Sequence, residues 1–226
     1  MAIENFKVTA YLVAPVVGEI PPLDSLLTYQ LAFYMNTFKS KKYTKATPIT
    51  EFERLPIPLT EYDVGGDKVN CCSDPVYIIE TEWHDKLAKR FETDMLSTII
   101  DPLKRKTINI GGGYLRSRFQ TLHAKIISRV VWFARGDSEQ ALRLLKYVNS
   151  LGYFRKIGYG IVNKWNVEII KENFSISARC SGKKILMKTL PVCDATRNMD
   201  GIRYGFGAYK PPYWHPENQC EVVVPC

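Results

Sequence analysis

The stretch from Lys125 to Ile170 constrains the fold most, because it reads as one strand–helix–strand unit. Lys125 to Ala134 (KIISRVVWFA) is dense in β-branched and aromatic residues, the composition of a strand. Gly136-Asp137-Ser138 then opens a helix. Asp137 with Gln140 three residues on resembles a capping box, although that box prefers Ser or Thr first. Ala141, Leu144, Leu145, Val148 and Leu151 fall on one helical face, and Gly152 suits the left-handed position after a helix. A glycine-rich turn, Gly152 to Gly160 (GYFRKIGYG), leads into a second strand, Gly160 to Ile170.

The N-terminal part supplies a matching set. Phe6 to Val17 reads as a strand that ends around Pro15 and Gly18. Leu23, Leu26, Leu27, Leu31, Tyr34 and Phe38 recur at helical spacing, with Asp24 in the first turn or at the N-cap, where a carboxylate is favoured. Lys39, Lys41 and Lys42 mark a solvated loop. Pro48 to Leu59 is a strand that Pro56 and Pro58 cut short or confine to a sheet edge. Val64 to Asp67 is a turn, and Val76 to Trp83 is another strand. Residues 84–124 form a long insertion, helical near Leu87 to Ile100 and loop-like afterwards.

The order is strand–helix–strand–strand–helix–strand. That predicts an α+β fold of the ferredoxin-like type shared by RRM domains. Residues 1–170 are the domain, with its insertion at about 84–124. Residues 171–226 are a small irregular or β-rich extension packed on it, carrying Gly205-Phe206-Gly207 and Lys210 to Trp214 (KPPYW). A chain of 226 residues buries enough surface to fold without disulfides or metals. The N-terminus shows no basic region followed by an apolar stretch, so no signal peptide is expected. No run approaches 18 apolar residues, so no membrane span is expected. Cys71, Cys72, Cys180, Cys193, Cys220 and Cys226 form no C-x-x-C pair and read as reduced thiols of a cytoplasmic protein. His215 with Cys220 and Cys226 fits no zinc spacing, so neither a metal nor a cofactor is expected.

Charge points to a polyanion. The chain carries a net charge of +8, which attracts nucleic acid by steering and counterion release. The excess is clustered. From Asp101 to Arg129 there are seven bases (Lys104, Arg105, Lys106, Arg116, Arg118, Lys125, Arg129) against one acid, a net of +6. Tyr114, Phe119 and His123 are interleaved. Cations for phosphates mixed with rings for bases is the pattern of single-stranded nucleic-acid binding. Gly111, Gly112 and Gly113 let backbone N–H groups approach phosphate. In the turn, Arg155 and Lys156 precede Gly158-Tyr159-Gly160. The turn lacks the order of a dinucleotide fingerprint and the Gly-Lys-Ser/Thr of an NTPase phosphate loop.

Leu151 to Val162 (LGYFRKIGYGIV) resembles the C-terminal glycine-rich loop of the RAMP superfamily of CRISPR-associated proteins. More narrowly, the chain resembles the fifth-family Cas subunit of type IV CRISPR effector complexes. The matching pieces are Val8 to Leu12 (VTAYL), Ala14 to Gly18 (APVVG), Pro22 to Leu27 (PLDSLL), Ile110 to Tyr114 (IGGGY), Trp132 to Asp137 (WFARGD), the glycine loop through Trp165, and Pro211 to Trp214 (PPYW). The resemblance implies a subunit that caps the 5′ handle of the CRISPR RNA, contacts the backbone and large subunits, and lies beside the protospacer-adjacent DNA. Arg155, Lys156, Gly158, Tyr159 and Gly160 would be its glycine loop. Lys104 to Arg118 would be its thumb-like insertion, and Pro15 and Gly18 would sit in the loop near the handle.

Such subunits are non-catalytic where a dedicated processing enzyme exists. The alternative is a metal-independent endoribonuclease that matures CRISPR RNA by activating a 2′-OH. Of the three histidines, His84, His123 and His215, only His123 lies in the basic segment, and it is the candidate base. No carboxylate cluster has two-metal spacing.

Overall fold

A computed structural model describes residues 3–35, 55–89, 117–180, 182–197 and 199–225. The protein is a sheet-rich α+β fold whose sheets are antiparallel. Its central sheet has four strands. β1 (Glu4–Leu12) has β8 (Arg129–Gly136) on one side and β9 (Val162–Ile169) on the other, and β5 (Val76–Tyr77) pairs with the far edge of β8. Val8 lies opposite both Trp132 and Val167.

Alternation explains which face packs. Phe6, Val8 and Ala10 on β1, and Val130, Trp132 and Ala134 on β8, all point to one side and are buried. Two helices cover that side. α1 (Leu23–Tyr34) contributes Leu23, Leu26 and Leu27, and α2 (Ser138–Leu145) contributes Ala141 and Leu145. Each fully buried Leu or Phe among these stabilises the fold by roughly 1.5–3 kcal/mol. Asp137 caps α2 by accepting a 2.9 Å hydrogen bond from the Gln140 backbone N–H, as its spacing predicts.

A second sheet holds β2 (Val16–Val17), β6 (Thr81–Lys89) and β7 (Arg118–Ile126), in the order β2-β7-β6. A second core gathers Leu186, Leu190, Val222 and Val223 from the C-terminal part, together with Val64 and Val69. Val64 and Val69 come from the hairpin of β3 (Glu61–Val64) and β4 (Asp67–Asn70). The C-terminal strands are β10 (Ser177–Cys180), β11 (Lys183–Leu186), β12 (Leu190–Pro191), β13 (Ile202–Ala208) and β14 (Gln219–Pro225), with the short helix α3 (Asp194–Arg197) between β12 and β13. The C-terminal part is therefore ordered β structure with a core of its own, and that core extends beyond residues 171–226 to recruit the 61–70 hairpin.

Several expected elements divide. Phe6 to Val17 is two strands, because Pro15 has no N–H for a ladder and the chain turns there. Val76 to Trp83 splits into β5 and the start of β6. Lys125 to Ala134 is likewise two strands, β7 and β8, which turn at Ile127 and Ser128. The helix expected from Leu87 is strand up to Lys89, paired with β7, and residues 90–100 lie outside the described residues. Within the expected strand to Leu59, residues 55–59 form only a bridge from Leu59 to Gly136, and residues 48–54 lie outside the described residues. α2 ends at Leu145, so Val148 and Leu151 are buried beyond it and Gly152 is not its C-terminal glycine.

Candidate nucleic-acid interface

Where β1 ends, the chain runs into the glycine-rich turn as if the two were one strand pair. The Val13 N–H donates to Ile161 O (3.0 Å), Gly160 N–H to Pro15 O (2.7 Å), and Tyr153 N–H to Val17 O (2.7 Å). Leu151 N–H closes the turn onto Gly160 O (2.8 Å). The loop holding Pro15 and Gly18 and the turn holding Arg155 to Gly160 therefore form one backbone unit, which the sequence predicted only as two separate pieces.

Glycine is needed in this unit for close approach. Gly160 has φ +66, and a Cβ there would run into Leu151 O. Gly18 has φ +81, and a Cβ there would collide with the Tyr153 ring. Gly152, at φ +77, lies against Val17 O, where a Cβ would sit 2.6 Å away. Gly158 differs: its φ is +98, but among the described residues nothing lies within 4 Å of a Cβ built on it. It faces open space, where a ligand can reach the backbone.

Phe154 takes a left-handed conformation, φ 56, which a bulky residue rarely adopts. Its ring packs on the small cluster of Val17, Leu122 and Ala124, along with Trp83, Leu87 and Tyr159. That anchor turns the following short helical turn, Arg155–Ile157, outward, and Arg155, Lys156 and Gly158 are exposed. The Tyr159 hydroxyl donates a 2.6 Å hydrogen bond to the Asp85 carboxylate on β6. The bond pushes the Tyr159 hydroxyl up and holds the Asp85 carboxyl below its usual range. Asp85 was missed from sequence, because a lone acid in a strand carries no motif.

The β6–β7 hairpin has two faces. Trp83, Asp85, Leu87 and Leu122 turn toward the glycine unit. His84, opposite His123, turns the other way. The two imidazoles stack at 5.0 Å, and His123 Nε2 lies 3.2 Å from a Glu82 carboxylate oxygen. His123 thus sits on the opposite face of the hairpin from Tyr159, apart from the glycine turn. Arg118 is exposed opposite Lys89. Lys104, Arg105, Lys106, Gly111, Gly112, Gly113, Tyr114 and Arg116 lie outside the described residues, in the chain segment that joins β6 to β7.

A buried polar cluster was also missed. Asp24, fully buried in α1, accepts hydrogen bonds from Ser25 N–H (2.9 Å), Asn70 Nδ2 (3.1 Å) and the Tyr213 hydroxyl (2.9 and 3.0 Å). It also pairs with Lys188 Nζ at 3.5 Å. Lys188 Nζ lies 3.4 Å from Cys72 Sγ. Burial pushes the Cys72 thiol up to about 12. Burial pulls the Lys188 ammonium down, but its anionic neighbours, Asp24 foremost, hold it well above its usual range. His215 is a packed residue whose Nδ1 accepts from Glu217 N–H at 3.2 Å.

Among the described residues, no group of three or more His, Cys, Asp or Glu side chains could hold a metal, and no helix is long and apolar enough to cross a membrane. Comparison with known proteins finds no family model and no curated protein that matches the chain.

Proposed function

We propose that the chain is a non-catalytic RNA-binding subunit of a CRISPR effector ribonucleoprotein, acting in the cytoplasm and holding the 5′ handle of the CRISPR RNA. The observation that carries this reading is the single backbone unit formed by the Pro15–Gly18 loop and the glycine turn, with Arg155 and Lys156 exposed beside the open backbone of Gly158. Exposed cations beside a glycine that puts no side chain in the way of an approaching phosphate are what a phosphate chain requires. The strand order β9-β1-β8-β5, with α1 after β1 and α2 after β8, supports a ferredoxin-like reading of the central sheet. In this reading the segment between β6 and β7, with Lys104, Arg105, Lys106, Gly111 to Tyr114 and Arg116, adds further RNA contacts together with Arg118 at the start of β7. The backbone and large subunits, and DNA near the adjacent motif, are the remaining partners.

The test is fluorescence anisotropy with labelled repeat RNA across a salt series. Arg155→Ala with Lys156→Ala weakens binding, and each lost phosphate contact lowers the salt slope by ~0.7. Unchanged affinity and slope would remove the turn from the RNA site. The alternative of RNA cleavage draws on the stacked His84–His123 pair. Incubating repeat RNA with the protein in EDTA decides it: cleavage that disappears in His123→Ala would overturn the non-catalytic reading.

A further inference from the structure

A cavity of about 380 Å3 opens between the outward face of β8 and the second core, where Ile176 and Met199 line it, and shares no residue with the glycine-turn unit. Its walls come from β3, the outward side of β8, and β10 and β11. The volume lies at the small end of the range for ligand pockets, ~300–1,000 Å3, and suits one small ligand rather than a chain of them.

Two cations line it. Arg135 points away from the first core, on the face of β8 that also carries exposed Arg129 and half-buried Val131 and Phe133. Its backbone is fixed on both sides: its N–H donates to Cys71 O (3.0 Å), and its O accepts from Thr60 N–H (2.8 Å) and Thr60 Oγ1 (3.1 Å). Lys184 stands on β11 opposite Arg179, and its O accepts from Asp200 N–H (3.2 Å). Neither the Arg135 guanidinium nor the Lys184 ammonium has a side-chain partner among the described residues. The one acid among the described lining residues, Glu61, already pairs with Lys68 at 3.6 Å.

The rest of the lining suits a planar, polar ligand. Tyr62 is 47% exposed, so a flat group has room to stack on its ring. Asn173 uses its Oδ1 to accept from Ser175 N–H (3.0 Å) and Ser175 Oγ (2.7 Å), which leaves its amide NH2 to donate. Ser177 adds a hydroxyl. A doubly cationic wall, a stacking ring and neutral donors in one compartment match an anionic phosphate joined to an aromatic base.

We propose that this cavity binds a nucleoside monophosphate, either as a free nucleotide or as one residue of single-stranded RNA. Arg135 and Lys184 hold the phosphate, the base stacks on Tyr62, and Asn173 and Ser177 donate to ribose or base. Because the cavity has no residue in common with the glycine turn, its test stands or falls apart from the handle-binding reading.

Calorimetric titration of the full chain uses inorganic phosphate, AMP, UMP and a short oligouridylate. Wild type binds AMP and UMP more tightly than phosphate. Arg135→Ala with Lys184→Ala weakens nucleotide binding at least tenfold, and Tyr62→Ala weakens AMP and UMP but not phosphate. Lys184→Gln, a single exposed change, gives an intermediate loss and guards against misfolding of the double variant. If free nucleotides bind and displace the oligouridylate, the site takes either source. If only the oligouridylate binds, and it loses tenfold affinity in the double variant, the source is a strand residue. The proposal is overturned if no nucleotide-bearing probe loses affinity in the double variant. It is equally overturned if Tyr62→Ala leaves unchanged the affinity of every nucleotide-bearing probe that wild type binds.

Discussion

Asp24→Asn cuts the ion pair that joins α1 to the C-terminal part while nearly preserving shape. The Asp24 carboxylate is 0% exposed and the Lys188 ammonium 1%, with 3.5 Å between Nζ and Oδ2. At an effective interior dielectric of ~20, a separation of that size corresponds to ~5 kcal/mol of attraction. Losing one partner of a buried pair typically costs ~3–5 kcal/mol, because the remaining charge stays buried and uncompensated. The one amide oxygen can still serve Tyr213 and Asn70, but Ser25 N–H then faces the amide NH2, so one lost hydrogen bond of ~1 kcal/mol adds to the loss. For a chain of 226 residues, each kcal/mol moves the melting temperature by ~2–4 °C, so Asp24→Asn should lower it by ~8–24 °C. Urea denaturation read by circular dichroism measures the free energy directly. Lys188→Met, which removes the other charge, should also destabilise. The double variant should cost clearly less than the two single losses added, since no charge is left stranded. Additive single losses, or an Asp24→Asn protein within ~0.5 kcal/mol of wild type, would show that the pair does not act as a unit.

Alkaline pH probes the same cluster. Lys188 is held charged in the fold well above its ordinary 10.5, so its stabilisation is complete below 10.5 and is lost as pH rises through the raised folded value. Burial holds the Tyr213 hydroxyl neutral well above its ordinary 10.0, so it too favours unfolding once pH exceeds 10.0. The urea midpoint should therefore fall above pH ~10, and less steeply in Lys188→Met; equal slopes in the two proteins would refute the assignment. In iodoacetamide labelling followed by mass spectrometry, the half-buried Cys193 and Cys220 should react before buried Cys72, whose thiol stays protonated; equal labelling would contradict its burial. Gly160→Ala should destabilise far more than Gly158→Ala, since the first collides with Leu151 O and the second costs only ~1–2 kcal/mol of left-handed strain; equal melting temperatures would disprove the contact.

The parts of the fold legible in sequence are those governed by short-range pattern. β1, β8 and α2 announce themselves because apolar residues alternate or recur on one face, and Asp137 meets Gln140 within a single turn. The β6–β7 hairpin was unreadable for the same reason. One face of it is solvated, carrying His84, Lys86, Phe119 and His123, so residues 84–89 and 118–124 look like the ends of an insertion instead of two paired strands. The breaks at Pro15 and at Ile127-Ser128 depend on which strand receives the chain next, and no local propensity encodes that.

The candidate site divides along the same line. Arg155, Lys156 and the three glycines of the turn were visible as a motif. Their union with Pro15 and Gly18 spans more than 130 residues of sequence and arises only when β1 and β9 pair. Asp24 and Lys188 are 164 residues apart, and each alone reads as an ordinary surface charge. What buries them is the meeting of α1 with the C-terminal part, in which Tyr213 and Asn70 supply the remaining hydrogen bonds. The cavity lined by Arg135 and Lys184 also joins distant segments, the outward face of β8 and the edge of the second core. The buried pair ties α1 to the C-terminal part, and its Lys188 Nζ lies 3.4 Å from Cys72 Sγ, next to Cys71 in the cavity's wall. Loosening the pair with Asp24→Asn should weaken nucleotide binding there even though Asp24 touches no part of the cavity.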